Sequence, residues 1–309
     1  PRENGSFTTS YFAVQTLLGA NNQDDYRALF NKFEQNRTII SNRLGSGTHL
    51  ADGSEYADGL GEKSIDVLIP AFLAAYTNDD PNNVKIGFED QLKTLPKLNW
   101  RVNYRGLEKV PAFENVFKSF TLNHSYRSSL TINSFNTDLD YNASNPFVRN
   151  NITQNFYSRF EIPAINITEQ FSPLIGLDMQ FDNELGLRFD FSKARDLRLN
   201  FVDAVLSETR TTEYTIGLVY VAKDVIIGFL KGGSKKKKSK KRKPAPDTDT
   251  ADPDDRSPLG GGGLGLEGNN DPSDLTFKFD FSYRDDITVN YIIDGDISEP
   301  TRGLSSLRI

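Results

Sequence analysis

Residues 275–283 read LTFKFDFSY: Leu275, Phe277, Phe279, Phe281 and Tyr283 alternate with Thr276, Lys278, Asp280 and Ser282. Successive side chains of a β-strand point to opposite faces, so this spacing predicts a strand with one aromatic and one charged face. The same alternation recurs up-chain. Trp100, Val102 and Tyr104 alternate with Arg101, Asn103 and Arg105, and Phe120, Leu122, Tyr126, Leu130 and Ile132 are separated by Thr121, Asn123, Ser125, Arg127, Thr131 and Asn133. Leu177, Met179 and Phe181 lead to a turn signal at Asp182-Asn183, after which Leu185, Leu187, Phe189 and Phe191 resume, as in a hairpin. The odd register then passes through Lys193 and Arg195 to Leu197, Leu199 and Phe201, which fits either a second tight hairpin or one very long strand. Tyr214, Ile216, Leu218 and Tyr220 give a further strand, and residues 6–18 a weaker one.

Two excursions interrupt the strands. Residues 24–44 carry Tyr26, Leu29, Phe30, Phe33, Ile40 and Leu44 at helical spacing, with Asp24 and Asp25 at the start and Gly45 after the end. The apolar stretch 64–76 contains Pro70, which is expected to end or kink a helix there. Residues 231–274 run from KGGSKKKKSKKRK through PAPDTDTADPDD to GGGGLGLEGNN and predict a disordered, solvated loop. The expected organisation is a strand in 1–21, a partly helical inter-strand insertion in 22–98, wall strands in 99–230, the loop in 231–274 and further strands in 275–309.

Composition narrows the chemistry. The 309 residues include no cysteine, two histidines (His49 and His124) and one methionine, which removes disulfides, thiolate metal sites and thiol nucleophiles. With Pro1 at the start, the chain reads as a fragment or a processed product. The net charge of -6 conceals a local excess of cations, nine lysines and arginines against five aspartates between positions 231 and 255. Only 37% of residues are hydrophobic, yet 22 Phe, 12 Tyr and one Trp make 35 aromatics, and Phe, Tyr and Leu dominate the apolar side of the alternation. No apolar run approaches the roughly 18 residues of a membrane-spanning helix, so any crossing has to be made by strands.

Soluble strands average about five or six residues. The alternation here is sustained over 120–132 and 275–283, a length at which a tilted strand crosses a bilayer. In lipid every backbone polar group must pair internally, which only a closed barrel of strands achieves. The expected fold is therefore all-β, an antiparallel transmembrane β-barrel wall with a partly helical inter-strand insertion. A lipid-facing belt would comprise Leu275, Phe277, Phe279, Phe281, Tyr283, Leu185, Leu187, Phe189 and Phe191. Lys278, Asp280, Ser282, Arg284, Arg188 and Asp190 would face a wet lumen, because a narrow soluble barrel has no means to bury so many charges.

Other signals are weaker. Asn123, His124 and Ser125 are consecutive on a strand, point to opposite faces and so do not form a triad; His124 reads as a wall or girdle residue. Asp178, Asp182, Glu184 and Asp190 read as pore lining or turn chemistry rather than paired catalytic acids. The cations Lys235, Lys236, Lys237, Lys238, Lys240, Lys241, Arg242 and Lys243 lack interleaved aromatics and have acids close behind, which favours a solvated loop over a nucleic-acid site; if they bind, it is to anionic headgroup phosphates at a barrel rim. Gly260 to Gly263 are followed by no Gly-Lys-Ser/Thr and make a linker, not a nucleotide loop. The apolar stripe of residues 24–44 is expected to pack on the barrel mouth.

Six blocks resemble the SprA (Sov) family: DVLIPAFLAAYT (66–77), LNWRVNYRGLEKVPAF (98–113), FTLNHSYRSSL (120–130), FSPLIGLDMQF (171–181), EYTIGLVY (213–220) and FKFDFSYRDDITV (277–289). The likeness covers nearly the whole chain in order; the acidic, Gly-rich extension after the lysine run departs from the family pattern. The resemblance implies the C-terminal part of a very large barrel, with one or more closing strands beyond Ile309. It also implies the outer membrane of a Gram-negative bacterium and a role in type IX secretion and gliding motility. The implied function is a passive, protein-conducting channel for folded cargo with a C-terminal secretion domain. The implied partners are membrane lipid, the rest of the barrel, a smaller barrel subunit at a lateral opening and a periplasmic plug, with no cofactor, no nucleic acid and no enzymatic activity. The alternatives are another outer-membrane channel or receptor barrel, or a soluble β-sandwich binding module whose aromatic face is buried against a second sheet.

Overall fold

The computed structural model describes residues 2–45, 53–87, 98–225, 273–293 and 298–308. The strands are β1 (Asn4–Thr9), β2 (Trp100–Arg105), β3 (Phe117–Thr137), β4 (Phe160–Glu161), β5 (Ala164–Phe181), β6 (Leu185–Asn200), β7 (Val205–Val225), β8 (Ser273–Ile292) and β9 (Ser298–Arg308). They form one sheet in the order β1-β3-β5-β6-β7-β8-β9, with β2 and β4 also paired to β3. The pairing is antiparallel wherever its register is defined. Among the described residues the sheet stays open, with β1 and β9 at its two ends. The fold of the described residues is thus an antiparallel β-sheet with three α-helices, α1 (Val14–Gly19), α2 (Gln23–Leu44) and α3 (Ile65–Thr77). None of the helices is long and apolar enough to cross a membrane.

The choice left open after Phe191 resolves as a single strand. β6 pairs with β5 from Gly186 opposite Gln180 to Asn200 opposite Ala164, and Lys193 and Arg195 stay in register opposite Phe171 and Glu169. Ser172 to Leu174 of β5 stand opposite Ser192 alone, so two extra residues are absorbed as a bulge between Phe171 and Ile175. Because the bulge takes four steps on β5 against two on β6, the side-chain parity is the same on both sides of it.

Two expectations are corrected. The N-terminal strand ends at Thr9, and Val14–Gly19 is helical instead of strand. α3 continues through Pro70 for 13 residues. A proline inside a helix costs roughly 3 kcal/mol through its missing N–H and ring clash. Here the whole run from Val67 to Tyr76 is buried, and each apolar side chain taken out of water returns about 1.5–3 kcal/mol, which offsets that cost. The helix closes at Asn78, whose left-handed conformation (φ 63°) brings the Asp79 N–H back to the Ala74 carbonyl at 3.0 Å.

α2 begins within a residue of its expected position. Asn22 accepts from the Asp25 backbone N–H at 2.9 Å while Asp25 accepts from the Asn22 N–H at 3.3 Å, so two otherwise orphaned donors are satisfied reciprocally. Tyr26, Phe30, Phe33, Arg37 and Ile40 recur at helical spacing and are all buried. Phe33 meets Phe72 of α3 edge-on at 6.2 Å, and Phe30 stacks on Tyr291 of β8 at 4.5 Å.

The helices thereby cover one end of the sheet. The core joins Phe33, Ile40, Leu68 and Phe72 to Leu130 and Ile132 (β3), Ile165 and Ile167 (β5), Leu197 and Leu199 (β6), Leu206 (β7) and Val289 (β8). The helical insertion therefore lies flat on a sheet face, where the expectation placed it at the rim of a barrel. A second compact unit, Tyr220–Phe277, contains the outer ends of β7 and β8, where Tyr220 stacks on Phe277 at 6.5 Å.

Phe72 has no exposed surface. Phe72→Ala is expected to cost about 3–5 kcal/mol through lost burial and the cavity left behind. Hydrogen exchange of the α2 and α3 amides should accelerate by about a hundredfold or more. Phe279→Ala, on the uncovered half of the sheet, should leave those amides within about tenfold of the parent chain.

Candidate functional site

One face of the sheet is apolar on both sides of a row of polar groups, and among the described residues half of it has no cover. On β6 the odd positions run Leu185, Leu187, Phe189, Phe191, Lys193, Arg195, Leu197 and Leu199; the last two lie under the helices while the first four do not. Registered neighbours share the face: Met179 opposite Leu187, Leu177 opposite Phe189, Ile175 opposite Phe191, and on β3 Phe120 opposite Met179 and Leu122 opposite Leu177. Rings bridge the strands, Phe117 with Phe181 and Phe191 with Tyr214, each pair at 4.7 Å. Phe279 is 64% exposed, and Phe281 and Tyr283 are exposed beside it. In the second unit Leu275, Phe277 and Tyr220 are exposed as well. Every residue of the expected belt is thus exposed or half-buried.

The opposite face carries paired charges. Arg188 Nε donates to Asp190 at 2.6 Å and lies 3.7 Å from Asp178, whose other oxygen accepts from Asn123 at 2.7 Å. Arg284 donates to Asp286 at 2.8 Å. Lys278 and Asp280 are exposed, and Ser282 donates to Glu213 at 3.4 Å. Asp178 and Asp190 therefore flank one arginine, while Asp182 and Glu184 lie at the β5–β6 turn. The residues expected to face a lumen share this side. The lysine run 235–243 lies outside the described residues.

His124 belongs to the apolar face. Its Nδ1 meets the Leu174 carbonyl at 2.7 Å, and its ring lies between Trp100 at 6.2 Å and Phe171 at 5.5 Å. Asn123, by contrast, reaches Asn103 and Asp178. The two neighbours serve different faces, as strand geometry requires.

Between the helix-covered and uncovered halves runs a row of polar groups. Glu169 and Arg195 have no exposed side-chain surface and form an ion pair. Glu169 also accepts from Tyr126 Oη at 2.8 Å and from the Ala13 N–H at 3.2 Å. Arg195 donates on to Thr16 Oγ1 at 2.8 Å and to the Ala13 carbonyl at 3.3 Å. Next along the row, Arg210 pairs with Glu208, donates to the Ala20 carbonyl at 2.9 Å and places its guanidinium 4.0 Å from the centre of the Tyr26 ring. Both arginines thus grip the short helix α1 by backbone carbonyls at its two ends. Sequence reading missed these four residues as a site. Their signal is a charge standing in the apolar register of a strand, as Lys193 and Arg195 do between Phe191 and Leu197.

Beside the helical layer a cavity of about 680 Å³ is lined by Asp58, Asp66, Tyr141, Phe147, Arg149 and Phe156 among others. Asp66, in the first turn of α3, is largely buried and accepts from Ser158 Oγ at 2.7 Å. Burial raises its carboxyl above the usual range and the Ser158 bond opposes that rise. Asp58 is held below the usual range chiefly by its hydrogen bonds from Arg149. Among the described residues no three His, Asp or Glu side chains gather as a metal-binding group. Against known proteins, no family model matches the chain and no curated protein matches it.

Removing one partner of a buried ion pair strands a charge and costs about 3–5 kcal/mol, whereas replacing both by apolar residues is near neutral or stabilising. Arg195→Met alone is expected to lower the unfolding midpoint sharply, and Glu169→Leu with Arg195→Met to recover most of the loss. In that double variant the amides of α1 should still exchange faster than in the parent, because the bonds to Ala13 and Thr16 remain broken. For Asp66 the folded carboxyl has the higher pKa, so the folded state holds the extra proton and stability falls as pH rises through that pKa. Asp66→Asn should therefore stabilise the chain relative to the parent at pH 7.5, with the difference vanishing near pH 3.5, as read by thermal unfolding.

Proposed function

We propose that the chain is a stretch of the wall of an outer-membrane β-barrel and, from the six blocks that resemble the SprA (Sov) family, of a protein-conducting barrel of the type IX secretion kind. The carrying observation is the uncovered half of the apolar face. Exposed, contiguous apolar area of this extent is rare on a monomer in water and marks a surface that meets lipid or protein. Its rings stand on long paired strands, and the opposite side of the same strands carries Arg188, Asp190, Lys278, Asp280 and Arg284. Apolar-out and polar-in with period two is the pattern of a barrel that encloses water.

Strand length supports two zones. β3 and β7 are 21 residues long and β8 is 20, about twice the nine to eleven needed for a tilted crossing. On this reading the half bearing Phe189, Phe191, Tyr214, Phe279 and Phe281 crosses the bilayer, and the half bearing Leu197, Leu199, Leu206, Val289 and Tyr291 rises beyond it. The helices lie on the belt side of the sheet, so they stand against the outer wall above the membrane. In the wet lumen the paired charges of the other face let folded cargo pass without adhering. The smaller barrel subunit and the periplasmic plug belong to the same proposal, as do the cargo proteins with their C-terminal secretion domain. The chain would work by shape and solvation, with no bond made or broken.

Single spin labels at positions 279 and 278, in the protein in lipid bilayers, test the wall. Oxygen, which concentrates in lipid, should relax the label at 279, and a water-soluble nickel complex the label at 278. Shielding of both labels from both reagents would place the strand in a dry protein core and overturn the proposal in favour of a soluble sandwich. Nickel reaching 279 as readily as 278 would overturn it too.

A further inference from the structure

The cavity of about 680 Å³ beside the helical layer has walls from two parts of the chain. Leu60 and Asp66 stand on the helical insertion, and Tyr141, Phe147 and Tyr157 on the segment between β3 and β4. The two walls are tied at three places, so the space between them is preformed. Arg149 Nη1 donates to Asp58, the Phe156 N–H to the Gly59 carbonyl and the Gly61 N–H to Asn155 Oδ1, each at 2.7 Å. Gly59 (φ 79°) lies so close under the Phe156 ring that a Cβ there would collide with it. A preformed cavity of this size, with aromatic walls and few polar groups, is the usual form of a site for a small organic ligand.

Within it, Asp66 is the charge that the fold leaves uncompensated. Its carboxylate is largely buried, yet among the described residues it receives one hydrogen bond, from Ser158 to Oδ2, and no cation pairs with it. The arginines of the cavity are engaged elsewhere: Arg149 on Asp58, and Arg159 on Glu3 at 3.5 Å and over the Phe160 ring at 5.0 Å. The first turn of α3 offers Asp66 about half a unit of positive charge, less than a carboxylate carries. Buried charges are as a rule paired, because an unpaired one loses its hydration without compensation. Asp66 keeps some exposed surface, and its second oxygen is not one of the sealed, unpartnered atoms of the interior. That oxygen is therefore open to an occupant of the cavity that Asp66 lines.

We infer that this cavity binds an organic amine, with its ammonium paired to Asp66 and its apolar or aromatic body laid against Phe147, Tyr141 and Tyr157. Phe147 is 69% exposed although its ring packs against Phe156 at 5.5 Å, so most of its surface is open to a partner. Arg149 already stands 5.3 Å from the centre of the Phe156 ring, so a cation over an aromatic face is an arrangement this wall uses. An anionic ligand would meet Asp66 with both arginines engaged, and an uncharged one would leave the carboxylate unpaired. A charge-assisted bond from an ammonium answers it. The site belongs to the helical layer and does not depend on the barrel-wall reading, since contact of the belt with lipid neither supplies nor removes it.

The test is isothermal titration calorimetry on the full chain in maltoside micelles. The probe is phenethylamine, with phenylethanol as its uncharged counterpart and ethylamine as the amine without a ring. The expected result is one saturable site for phenethylamine, at least about tenfold tighter than either control. Asp66→Asn, which is expected to fold at least as well as the parent at neutral pH, should bring phenethylamine to the level of phenylethanol and leave phenylethanol unchanged. The same variant in the same micelles also corrects for amine that partitions into detergent. Phe147→Ala, at an exposed ring, should weaken phenethylamine and phenylethanol alike by about fivefold. The ammonium has two sources, a free amine and the N-terminal residue of a polypeptide, and the tripeptide Phe-Gly-Gly separates them: binding as tight as phenethylamine or tighter assigns the polypeptide, and weaker binding assigns the free amine. Absence of saturable binding, equal affinity for phenethylamine and phenylethanol, or an Asp66→Asn variant that binds the amine as the parent does would each overturn the site. Ethylamine as tight as phenethylamine would overturn the part given to the aromatic wall.

Discussion

Everything in this molecule follows from strands too long for the helices that cover them. A strand advances about 3.3 Å per residue and a helix about 1.5 Å. β6, with 16 residues, is thus about 53 Å long, while the 22 residues of α2 span about 33 Å and the 13 of α3 about 20 Å. Side-chain parity is kept along the strand, so the apolar face does not end where the helices end. Leu197 and Leu199 reach zero exposure under α2 and α3, while Leu185, Leu187, Phe189 and Phe191 continue the same row beyond their reach.

The buried charges make that boundary sharp. Had positions 169, 195, 208 and 210 been apolar, nothing would distinguish one half of the face from the other. Instead Glu169 and Arg195 hold both ends of a polar exchange with Ala13 and Thr16, and Arg210 holds Ala20. α1 is six residues long, too short to persist by its own hydrogen bonds, and it contributes chiefly Thr16 and Leu17 to burial. Its place is therefore fixed by the arginines and not by its propensity. Buried ion pairs are poor sources of net stability but costly to mispair, so the row serves register: a slip of one residue on β6 would move Arg195 to the far face and leave Glu169 stranded.

Much of this is legible in the sequence because period two is a strong signal. The belt on β6 and β8, the charged opposite face and the helix at 24–44 all follow from spacing. What resists reading is decided by tertiary context. Lys193 and Arg195 look like a turn because charge in an apolar register usually ends a strand; they continue it because α1 and Glu169 are there to receive them. Pro70 looks like a helix end because its local cost is visible and the burial of Val67 to Tyr76 is not. Residues 14–19 look like weak strand because a helix anchored through its backbone carbonyls leaves no pattern in its own side chains.

The shared face also constrains what the insertion can be. In a closed sheet each face is wholly outside or wholly inside, and Leu199 cannot lie on the opposite side from Phe189 when both stand at odd positions of one unbroken strand. If the belt meets lipid, α2 and α3 stand outside the barrel and add nothing to the narrowing of its lumen. A plug inside such a wall would then have to come from other segments and rest on the face of Arg188, Asp190 and Arg284, where it would meet paired charges and no apolar groove. The opposite orientation would bring Phe189, Phe279 and Phe281 into a water-filled lumen and present Arg188 and Asp280 to hydrocarbon, at about 2–4 kcal/mol for an arginine near the midplane. The geometry of one strand thus ties the position of the helical layer to the orientation of the wall, and the two stand or fall together.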